Sequence, residues 1–239
     1  MTTVTLVGAK GGVGTSLLAS NLALRLAAAE SCLLVDLAPI AGCADLLLGS
    51  EPSKSWADLL PVVEELEDRH LELATTQVNG GLSLLAAPAE AVEGDLKALL
   101  KTLDARSDWL IIDSGCAWLQ QKFLDRAESE HICLVTTLDP VSLRAAERGL
   151  RAIQQLEKSV IHLVVNQWQP EHPVDPKSVA ESMGIDLAAV LPFAPKVVAD
   201  QVHFGRPALR SRNPSYGRAI QRLEQHLRQT TAPKPHMEA

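Results

Sequence analysis

The chain has 239 residues, 46% of them hydrophobic, and a formal net charge of -7 at pH 7. This length suits one large α/β domain or two small ones, and the apolar content is enough for a buried core. No apolar run reaches about 18 residues and the first residues lack the basic start of a signal peptide, so neither membrane insertion nor secretion is expected. The four cysteines show no C-x-x-C spacing and are expected to be reduced thiols of a cytoplasmic protein rather than metal ligands.

The negative net charge argues against a nucleic-acid partner, but the charge is unevenly spread. Residues 205–239 carry seven Lys or Arg and two Glu. We interpret this basic segment as a solvated helix with its approach loop. An acidic partner or DNA bound by residues 206–228 is the alternative interpretation.

The first predicted element is a short buried strand containing Val4, Leu6 and Val7, and a helix begins soon after it. The two are joined by a glycine-rich turn with the sequence GAKGGVGTS. Exposed backbone N–H groups in such a turn, together with the positive end of the helix dipole, form an anion site. The sequence therefore predicts phosphate binding, and a glycine turn without a ligand is the alternative.

This stretch resembles the deviant Walker A loop of the MinD/ParA family, K-G-G-x-G-K-[ST]. By that resemblance Lys10 is the signature lysine, which reaches the phosphates of the partner subunit's nucleotide, and Ser16 supplies a hydroxyl to Mg²⁺. One position departs from the pattern, because Thr15 stands where an ordinary P-loop has a lysine that reaches the β/γ-phosphates. The loop residues expected to bind nucleotide are Lys10, Gly11, Gly12, Val13, Gly14, Thr15 and Ser16.

The helix after the loop is predicted to end near residue 30, and a second buried strand over 32–35 ends at Asp36. Residues 36–39 resemble the family's D-x-D-P segment. Asp36 keeps the first carboxylate, but Ala38 replaces the second, which the family places near the attacking water. Loss of charge at Thr15 and Ala38 predicts weak hydrolysis at most, with Lys10 and Asp36 as the remaining candidate catalytic residues.

The middle of the chain predicts several short elements before the next candidate site residue. These are helices over 44–49 and 53–60, with an interruption at Pro61, an acidic amphipathic helix over 62–71, a strand over 82–85 and a helix over 93–103. The apolar strand that follows ends at Asp113, in the position of a Walker B aspartate that holds Mg²⁺ through water. Ser16 and Asp113 are therefore the predicted metal ligands. An N-cap of the next helix, expected from near Leu119, is the alternative role for Asp113.

The second half of the chain alternates strands with helices. Strands are predicted over 131–137, 160–165 and 185–191, and helices from 140, over 176–183, over 196–203 and over 216–229. Asn166 follows the second of these strands, where a lone Asn is usually a turn residue. The family resemblance instead assigns it a hydrogen bond to adenine, and it places Pro192 and Phe193 in the loop beside the base.

This alternation predicts an α/β fold, a doubly wound and mostly parallel sheet with helices on both faces. The resemblance identifies it as a P-loop NTPase of the SIMIBI type. We expect one domain over residues 1–229 and a disordered tail over 230–239. The ligand is expected at the carboxyl edge of the sheet, where the candidate site residues fall.

Within the family the chain resembles the CpaE/TadZ branch of tight-adherence pilus proteins, through Thr15 and through residues 81–88, 136–146 and 191–207. That resemblance implies a localisation or assembly factor for polar pilus or secretion machinery, which binds ATP or ADP with Mg²⁺. It also implies a homodimer promoted by nucleotide, and recruitment to a cell pole or an inner-membrane complex. The alternatives are an active ATPase for partition, division, or cellulose or flagellar placement, and an interaction scaffold without nucleotide.

Overall fold

We describe a computed structural model that covers residues 2–38, 42–103, 106–116, 129–154, 159–210 and 214–230. Within these residues eight strands form one sheet in the order β3-β4-β2-β5-β1-β6-β7-β8. All neighbouring strands pair in parallel except β3 and β4, which pair antiparallel. The strands are β1 (Thr2–Gly8), β2 (Cys32–Asp36), β3 (Thr76–Asn79), β4 (Leu82–Leu85), β5 (Trp109–Asp113), β6 (His131–Thr136), β7 (Val160–Trp168) and β8 (Asp186–Pro192).

Helices cover both faces of this sheet. One face packs against α1, α2, α7 and α8, and the other against α4, α5, α6 and a 3₁₀ segment over Trp56–Glu65. The predicted doubly wound α/β fold is therefore confirmed. The helices are α1 (Thr15–Leu26), α2 (Ala44–Leu48), α3 (Asp68–Ala74), α4 (Leu96–Leu103), α5 (Pro140–Ile153), α6 (Pro176–Met183), α7 (Pro195–Phe204) and α8 (Pro214–Gln229).

The central strands read as continuous apolar runs because both of their faces are buried. In β5, Ile111 points into the core beside α1 and α8, whereas Leu110 and Ile112 point into the core beside α4. Parallel strands covered by helices on both faces show this composition. The chain begins at the centre of the sheet with β1, and its later strands lie on both sides of β1. Such a reversal opens a crevice at the carboxyl edge.

Several predicted bounds differ from the structure. Helix α1 ends at Leu26, and the 3₁₀ segment continues through Pro61 instead of stopping there. The predicted acidic helix is replaced by the end of that segment and by α3. Strand β3 was not predicted, and β7 continues past Asn166 to Trp168. The helix expected from near Leu119 and residues 231–239 of the expected tail lie outside the described residues.

Helices α2 and α7 meet at their carboxyl ends. Gly49 and Gly205 cap the two helices in the left-handed conformation, with φ values of 64° and 57°. A Cβ on Gly205 would lie 2.6 Å from the Cα of Gly49, so the two backbones touch without an intervening side chain. Gln201 on α7 adds a hydrogen bond to the Leu47 carbonyl of α2, 3.1 Å long.

Candidate functional site

The turn between β1 and α1, residues 9–14, is called the glycine loop below. Its start is fixed by two backbone hydrogen bonds, from the Gly8 N–H to the Gly115 carbonyl and from the Ala9 N–H to the Val135 carbonyl, each 2.8 Å long. The first turn of α1 contains no acidic residue, and no side chain caps it. The helix dipole is therefore not neutralised at this end, which favours a bound anion.

Two glycines of the loop have conformations that other residues rarely adopt. Gly12 and Gly14 have φ values of 83° and 90°. At Gly14 the requirement is also steric, since a Cβ there would lie 2.3 Å from Nδ2 of Asn166. The loop is thus shaped by its own backbone and held against the end of β7.

Neither Thr15 nor Lys10 places an ammonium inside the loop. Thr15 is buried, and its hydroxyl lies 2.4 Å from where a Cβ on Gly8 would be, so Gly8 leaves the room that Thr15 fills. The Lys10 amine donates to the neighbouring Gly11 carbonyl over 3.2 Å. Loop positions 10–16 therefore offer backbone N–H groups, hydroxyls and one peripheral cation to an anion.

Asp36 lies beneath the loop as a buried carboxylate with three backbone partners. It accepts hydrogen bonds from the N–H groups of Ala38, Cys43 and Ala44 at 2.9–3.0 Å. Burial raises the pKa of Asp36, and these three N–H groups act in the opposite direction. The carboxylate therefore fixes the segment that leads into α2. A direct part for Asp36 in hydrolysis stays a prediction.

Asp113 is the most deeply buried acid near the loop. Its Oδ1 accepts from the Gly115 N–H at 2.9 Å, whereas its Oδ2 has no hydrogen-bond partner among the described residues. Asp113 pairs with Asp36 in the register of β5 and β2. Burial first, and then the charge of Asp36, raise the pKa of Asp113 to about 7, while the Ser16 hydroxyl and the Gly115 N–H lower it.

These features fit a hard cation at Ser16 and Asp113. A divalent ion beside the free Oδ2 would offset the cost of keeping this carboxylate ionised away from water. Among the described residues there is no group of three or more His, Cys, Asp or Glu side chains that could hold a metal ion. A cation at this place would thus depend on a ligand's oxygens and water as well as on the two side chains.

On the far side of the loop lie the ends of β7 and β8. Asn166 donates from Nδ2 to the Val13 carbonyl at 2.8 Å, and its Oδ1 accepts from the Gln167 N–H at 2.8 Å. Gln167 has a φ of 57° and donates to the Gly12 carbonyl at 3.2 Å. Phe193, 49% exposed, follows Pro192 and donates its N–H to the Trp168 carbonyl.

One cavity of about 740 Å³ unites these parts, and it is called the main cavity below. That volume lies within the range of small-molecule sites. Val13, Asp36 and Asp113 are not on the cavity wall. The Val13 carbonyl accepts the hydrogen bond from Asn166, and the two acids are buried behind the wall. The predicted residues on the wall are Lys10, Gly11, Gly12, Gly14, Thr15, Ser16, Asn166, Pro192 and Phe193.

The wall also contains residues that the sequence did not single out. Gln167 could have been suspected as a second amide next to Asn166. Cys43 and Cys116 carried no spacing signal, and Tyr216 was predicted only as the first residue of the closing helix. The apolar part of the wall comes from α2 and α7, through Leu47, Val198, Ala199 and Val202. None of the helices in the described ranges is both long and apolar enough to cross a membrane.

No protein-family profile matches the chain. Among curated relatives, the septum site-determining protein MinD of Thermotoga maritima is 23% identical, in a match that covers 94% of this chain and 87% of that protein. An uncharacterized protein of Mycobacterium tuberculosis is 29% identical over 88% of this chain, and the chain spans 59% of that protein's length.

Solved structures match over almost the whole chain. A ParA family ATPase from Chlorobium tepidum superposes with a TM-score of 0.83 at 22% identity, covering 96% of this chain and 98% of that one. MinD of Pyrococcus horikoshii, complexed with Mg-ADP, gives 0.79 at 22% identity and 95% of each chain. A chain of the MinC:MinD cell division protein complex of Aquifex aeolicus gives 0.78 at 23% identity and 98% of each chain. This protein therefore has the α/β fold of the MinD and ParA P-loop ATPases.

Proposed function

We propose that this chain is a nucleotide-dependent localisation or assembly factor of the MinD/ParA type. It binds ATP or ADP with Mg²⁺ through a deviant Walker A loop, dimerises on ATP and hydrolyses it slowly if at all. The observation that carries the proposal is the main cavity, with an uncapped helix N-terminus and glycine loop on one wall and Asn166, Pro192 and Phe193 on another. The first wall provides the N–H groups that a phosphate chain needs, and the second provides the apolar and amide groups that suit a base.

Different groups of the chain bind the phosphates and the Mg²⁺ ion. Backbone N–H groups of Gly11–Ser16 wrap the phosphates, because the glycines let the backbone approach closely. Ser16 and Asp113 would hold Mg²⁺, which supplies positive charge to the phosphate oxygens when bound. The Mg-ADP in the Pyrococcus horikoshii MinD structure supports this assignment by likeness of fold.

Slow hydrolysis follows from the two replaced positions. An ammonium at position 15 and a carboxylate at position 38 would act on the γ-phosphate and the attacking water, and Thr15 and Ala38 do neither. The hydrogen bonds of Asp36 to three backbone N–H groups support a shaping role for that acid. The chain thus suits a protein whose conformational state depends on which nucleotide is bound, and less on how fast that nucleotide is hydrolysed.

A protein partner completes the proposal. The Aquifex aeolicus structure holds MinD together with MinC, which supports a partner protein for this fold. The resemblance to the CpaE/TadZ branch points to polar pilus or secretion machinery and to recruitment at a cell pole. We propose that residues 1–229 act as one domain in this role.

Calorimetry with MgATP and MgADP tests the proposal. We expect binding that depends on Mg²⁺ and is at least about tenfold weaker than in an intact P-loop, because one charge-assisted contact worth about 1.5–3 kcal/mol is missing. Ser16→Ala should remove most of the Mg²⁺ dependence, whereas Ser50→Ala, at the end of α2, should not. Neither heat nor a thermal shift at millimolar MgATP would leave a scaffold without nucleotide as the function.

A further inference from the structure

Strand β7 contains a bulge close to its carboxyl end. Val165 pairs with Val190 of β8. The next pair, Trp168 with Pro192, lies three residues farther along β7 but two residues farther along β8, so β7 has one extra residue there. Among the described residues, Gln167 in this bulge is the one residue other than glycine with a positive φ, 57°. A bulge of this kind redirects a side chain that would otherwise alternate with its neighbours along the strand.

The left-handed conformation of Gln167 is fixed on both sides. Before it, the Asn166 Oδ1 accepts a hydrogen bond from the Gln167 N–H over 2.8 Å. After it, the Trp168 carbonyl accepts the Phe193 N–H over 2.8 Å, which ties the end of β7 to β8. A strained backbone persists only where its surroundings fix it, and such residues are concentrated at ligand sites. The bulge therefore points to a function for the Gln167 side chain.

The Gln167 side chain is exposed and lies on the wall of the main cavity. Its Nε2 donates to the Gly12 carbonyl over 3.2 Å. Because a carbonyl oxygen can only accept, the amine end of the amide has to face the glycine loop. The Oε1 of Gln167 has no hydrogen-bond partner among the described residues. Gln167 therefore offers an acceptor whose orientation is set by the loop.

Asn166, the residue that the family resemblance assigns to adenine, is already bonded at both ends of its amide. Its Nδ2 donates to the Val13 carbonyl, and its Oδ1 accepts from the Gln167 N–H. The residue is 4% exposed, which leaves the amide little surface for a base. Asn166 thus holds the glycine loop and the bulge, and the edge of a base is left to another group.

His203 and two thiols also line the main cavity. Burial raises the pKa of Cys43 and the Ser16 hydroxyl lowers it, so this thiol lies beside the proposed Mg²⁺ position. Burial likewise raises the pKa of Cys116 and the Lys10 charge lowers it, so this thiol lies near the lysine at the edge of the loop. His203, exposed near the end of α7, is the remaining competitor for a base, and the test includes it.

We infer that Gln167 is a specificity-determining residue whose Oε1 accepts a hydrogen bond from an exocyclic amine of the bound base. This inference rests on the proposed function. An acceptor at this place favours a base with an amine at its edge, such as adenine, over a base with a carbonyl oxygen there, because two acceptors repel each other. The bond from Nε2 to Gly12 enforces this choice, since it fixes which end of the amide is left for the base.

Three probes separate the base from the phosphates in the test. ATP carries the amine, purine riboside triphosphate differs from ATP only in lacking it, and inorganic tripolyphosphate has no base. Each is titrated with Mg²⁺ into the wild type, Gln167→Met, His203→Ala and Gln169→Met. Gln167→Met keeps the length of the side chain and removes its amide. Gln169→Met is the matched control, because Gln169 is also exposed but lies outside the wall of the main cavity.

We expect the wild type to bind MgATP about five- to tenfold more tightly than purine riboside triphosphate, the factor that one hydrogen bond provides. Gln167→Met should bind the two nucleotides equally, with the wild-type affinity for the amine-free one. It should bind tripolyphosphate like the wild type. His203→Ala and Gln169→Met should keep the wild-type preference for ATP.

Other results overturn the inference. No preference for ATP in the wild type, or a preference that survives in Gln167→Met, shows that Gln167 does not bind the amine. A preference lost only in His203→Ala assigns the amine to that histidine. Equal weakening of all three probes by Gln167→Met shows that the side chain only shapes the loop. In each case the proposed function stands, because the wild type binds MgATP. A wild type that binds none of the probes overturns the proposed function and this inference together.

Discussion

Thr15 occupies the position at which an ordinary P-loop has a lysine, and its side chain fills the space beside Gly8. This one replacement changes the charge that the loop offers to a phosphate. Its hydroxyl can donate a hydrogen bond, but it brings no positive charge to a phosphate. Lys10, at the edge of the same loop, points its amine at the Gly11 carbonyl. The loop thus keeps its shape and loses part of its charge.

We predict that the wild type hydrolyses ATP at well below about 1 per minute, and that Thr15→Lys combined with Ala38→Asp raises this rate by about tenfold or more. The lysine adds charge at the γ-phosphate and the aspartate can orient water. Phosphate release in single turnover measures the effect. A wild-type rate typical of active ATPases would favour the active ATPase instead.

The glycines of the loop permit a second prediction. Gly12→Ala should destabilise the fold by about 1–2 kcal/mol, because alanine at this position has to adopt a positive φ. No steric clash adds to this cost, since a Cβ on Gly12 meets no atom within 4 Å. Gly14→Ala should cost about 1 kcal/mol more, because its Cβ also displaces the Asn166 amide from the Val13 carbonyl.

Urea unfolding measures both changes, and Gly11→Ala is the control. A Cβ on Gly11 meets nothing within 4 Å, and Gly11 has no positive φ. Equal losses for Gly12→Ala and Gly14→Ala would show that Asn166 does not hold the loop.

At the scale of elements, α8 is attached to the rest of the fold by charged and polar contacts as well as by its apolar face. Glu224 forms ion pairs with Arg25 of α1 at 2.6 Å and with Arg228 at 3.1 Å. Arg228 also pairs with Glu30, whose pKa it lowers together with the Trp109 indole N–H. Arg228 of the basic segment therefore makes its ion pairs within the domain.

Three histidines join α8 to the sheet. Nε2 of His162 lies 3.1 Å from Nδ1 of His131 on β6, and Nδ1 of His162 lies 3.0 Å from Nε2 of His226 on α8. Burial first, and then the charges of His131 and His226, lower the pKa of His162 to about 3. The row is stable as a neutral chain of donors and acceptors.

This row predicts a loss of stability in mild acid. The folded pKa of His162 lies below its unfolded value of about 6.5, so the unfolded chain takes up the proton first as the pH falls. The contribution of His162 is complete above about pH 6.5 and declines toward pH 3, by up to about 1.4 kcal/mol for each pH unit.

Urea unfolding between pH 7.5 and 4.5 checks this prediction in the wild type and in His162→Phe. The variant should be less stable at neutral pH but should lose less stability on acidification. Comparing the two slopes cancels the carboxyl groups, which are the same in both chains. Identical slopes would contradict a neutral buried histidine row.

At the scale of the whole molecule, we predict that MgATP converts the monomer into a homodimer and that Lys10→Ala prevents this without changing the monomer fold. Lys10 precedes the glycines of the loop, so it has little to do for a phosphate that residues 11–16 already wrap, but it can reach the phosphate of a second copy. Nucleotide then favours the dimer by linkage.

Light scattering with and without MgATP measures the oligomeric state. Lys101→Ala, an exposed lysine on α4 away from the loop, is the control and should dimerise like the wild type. If Lys10 were only a surface lysine, its loss would cost under about 1 kcal/mol. The same oligomeric state in every sample would rule out the switch.

The sheet could be predicted because most of its strands are apolar runs, and β1, β2, β5 and β6 end at the carboxyl edge in a glycine or a polar residue: Gly8, Asp36, Asp113 and Thr136. Strand β3 was missed because the sequence Thr-Gln-Val-Asn has no alternating pattern and lies at the edge of the sheet. The Asp113 position followed from the end of an apolar strand, and the fold brings it close to Ser16 as expected.

Tyr216 and Gln167 could not be assigned to the site from the sequence, because their places depend on how α8 crosses the sheet and on the positive φ at the end of β7. The three backbone bonds of Asp36 were also not foreseeable, because two of the donors, Cys43 and Ala44, lie seven and eight residues farther along the chain.

The touching glycines at the ends of α2 and α7 make those two helices a mechanical linkage. Asp36 holds the start of α2 near the glycine loop, and α7 starts next to Phe193, on another wall of the main cavity. Between them, backbone meets backbone at Gly49 and Gly205, with no side chain whose rotation could take up a displacement. We therefore expect a shift of α2 to displace α7, so that a change at one wall of the main cavity alters the position of the other wall.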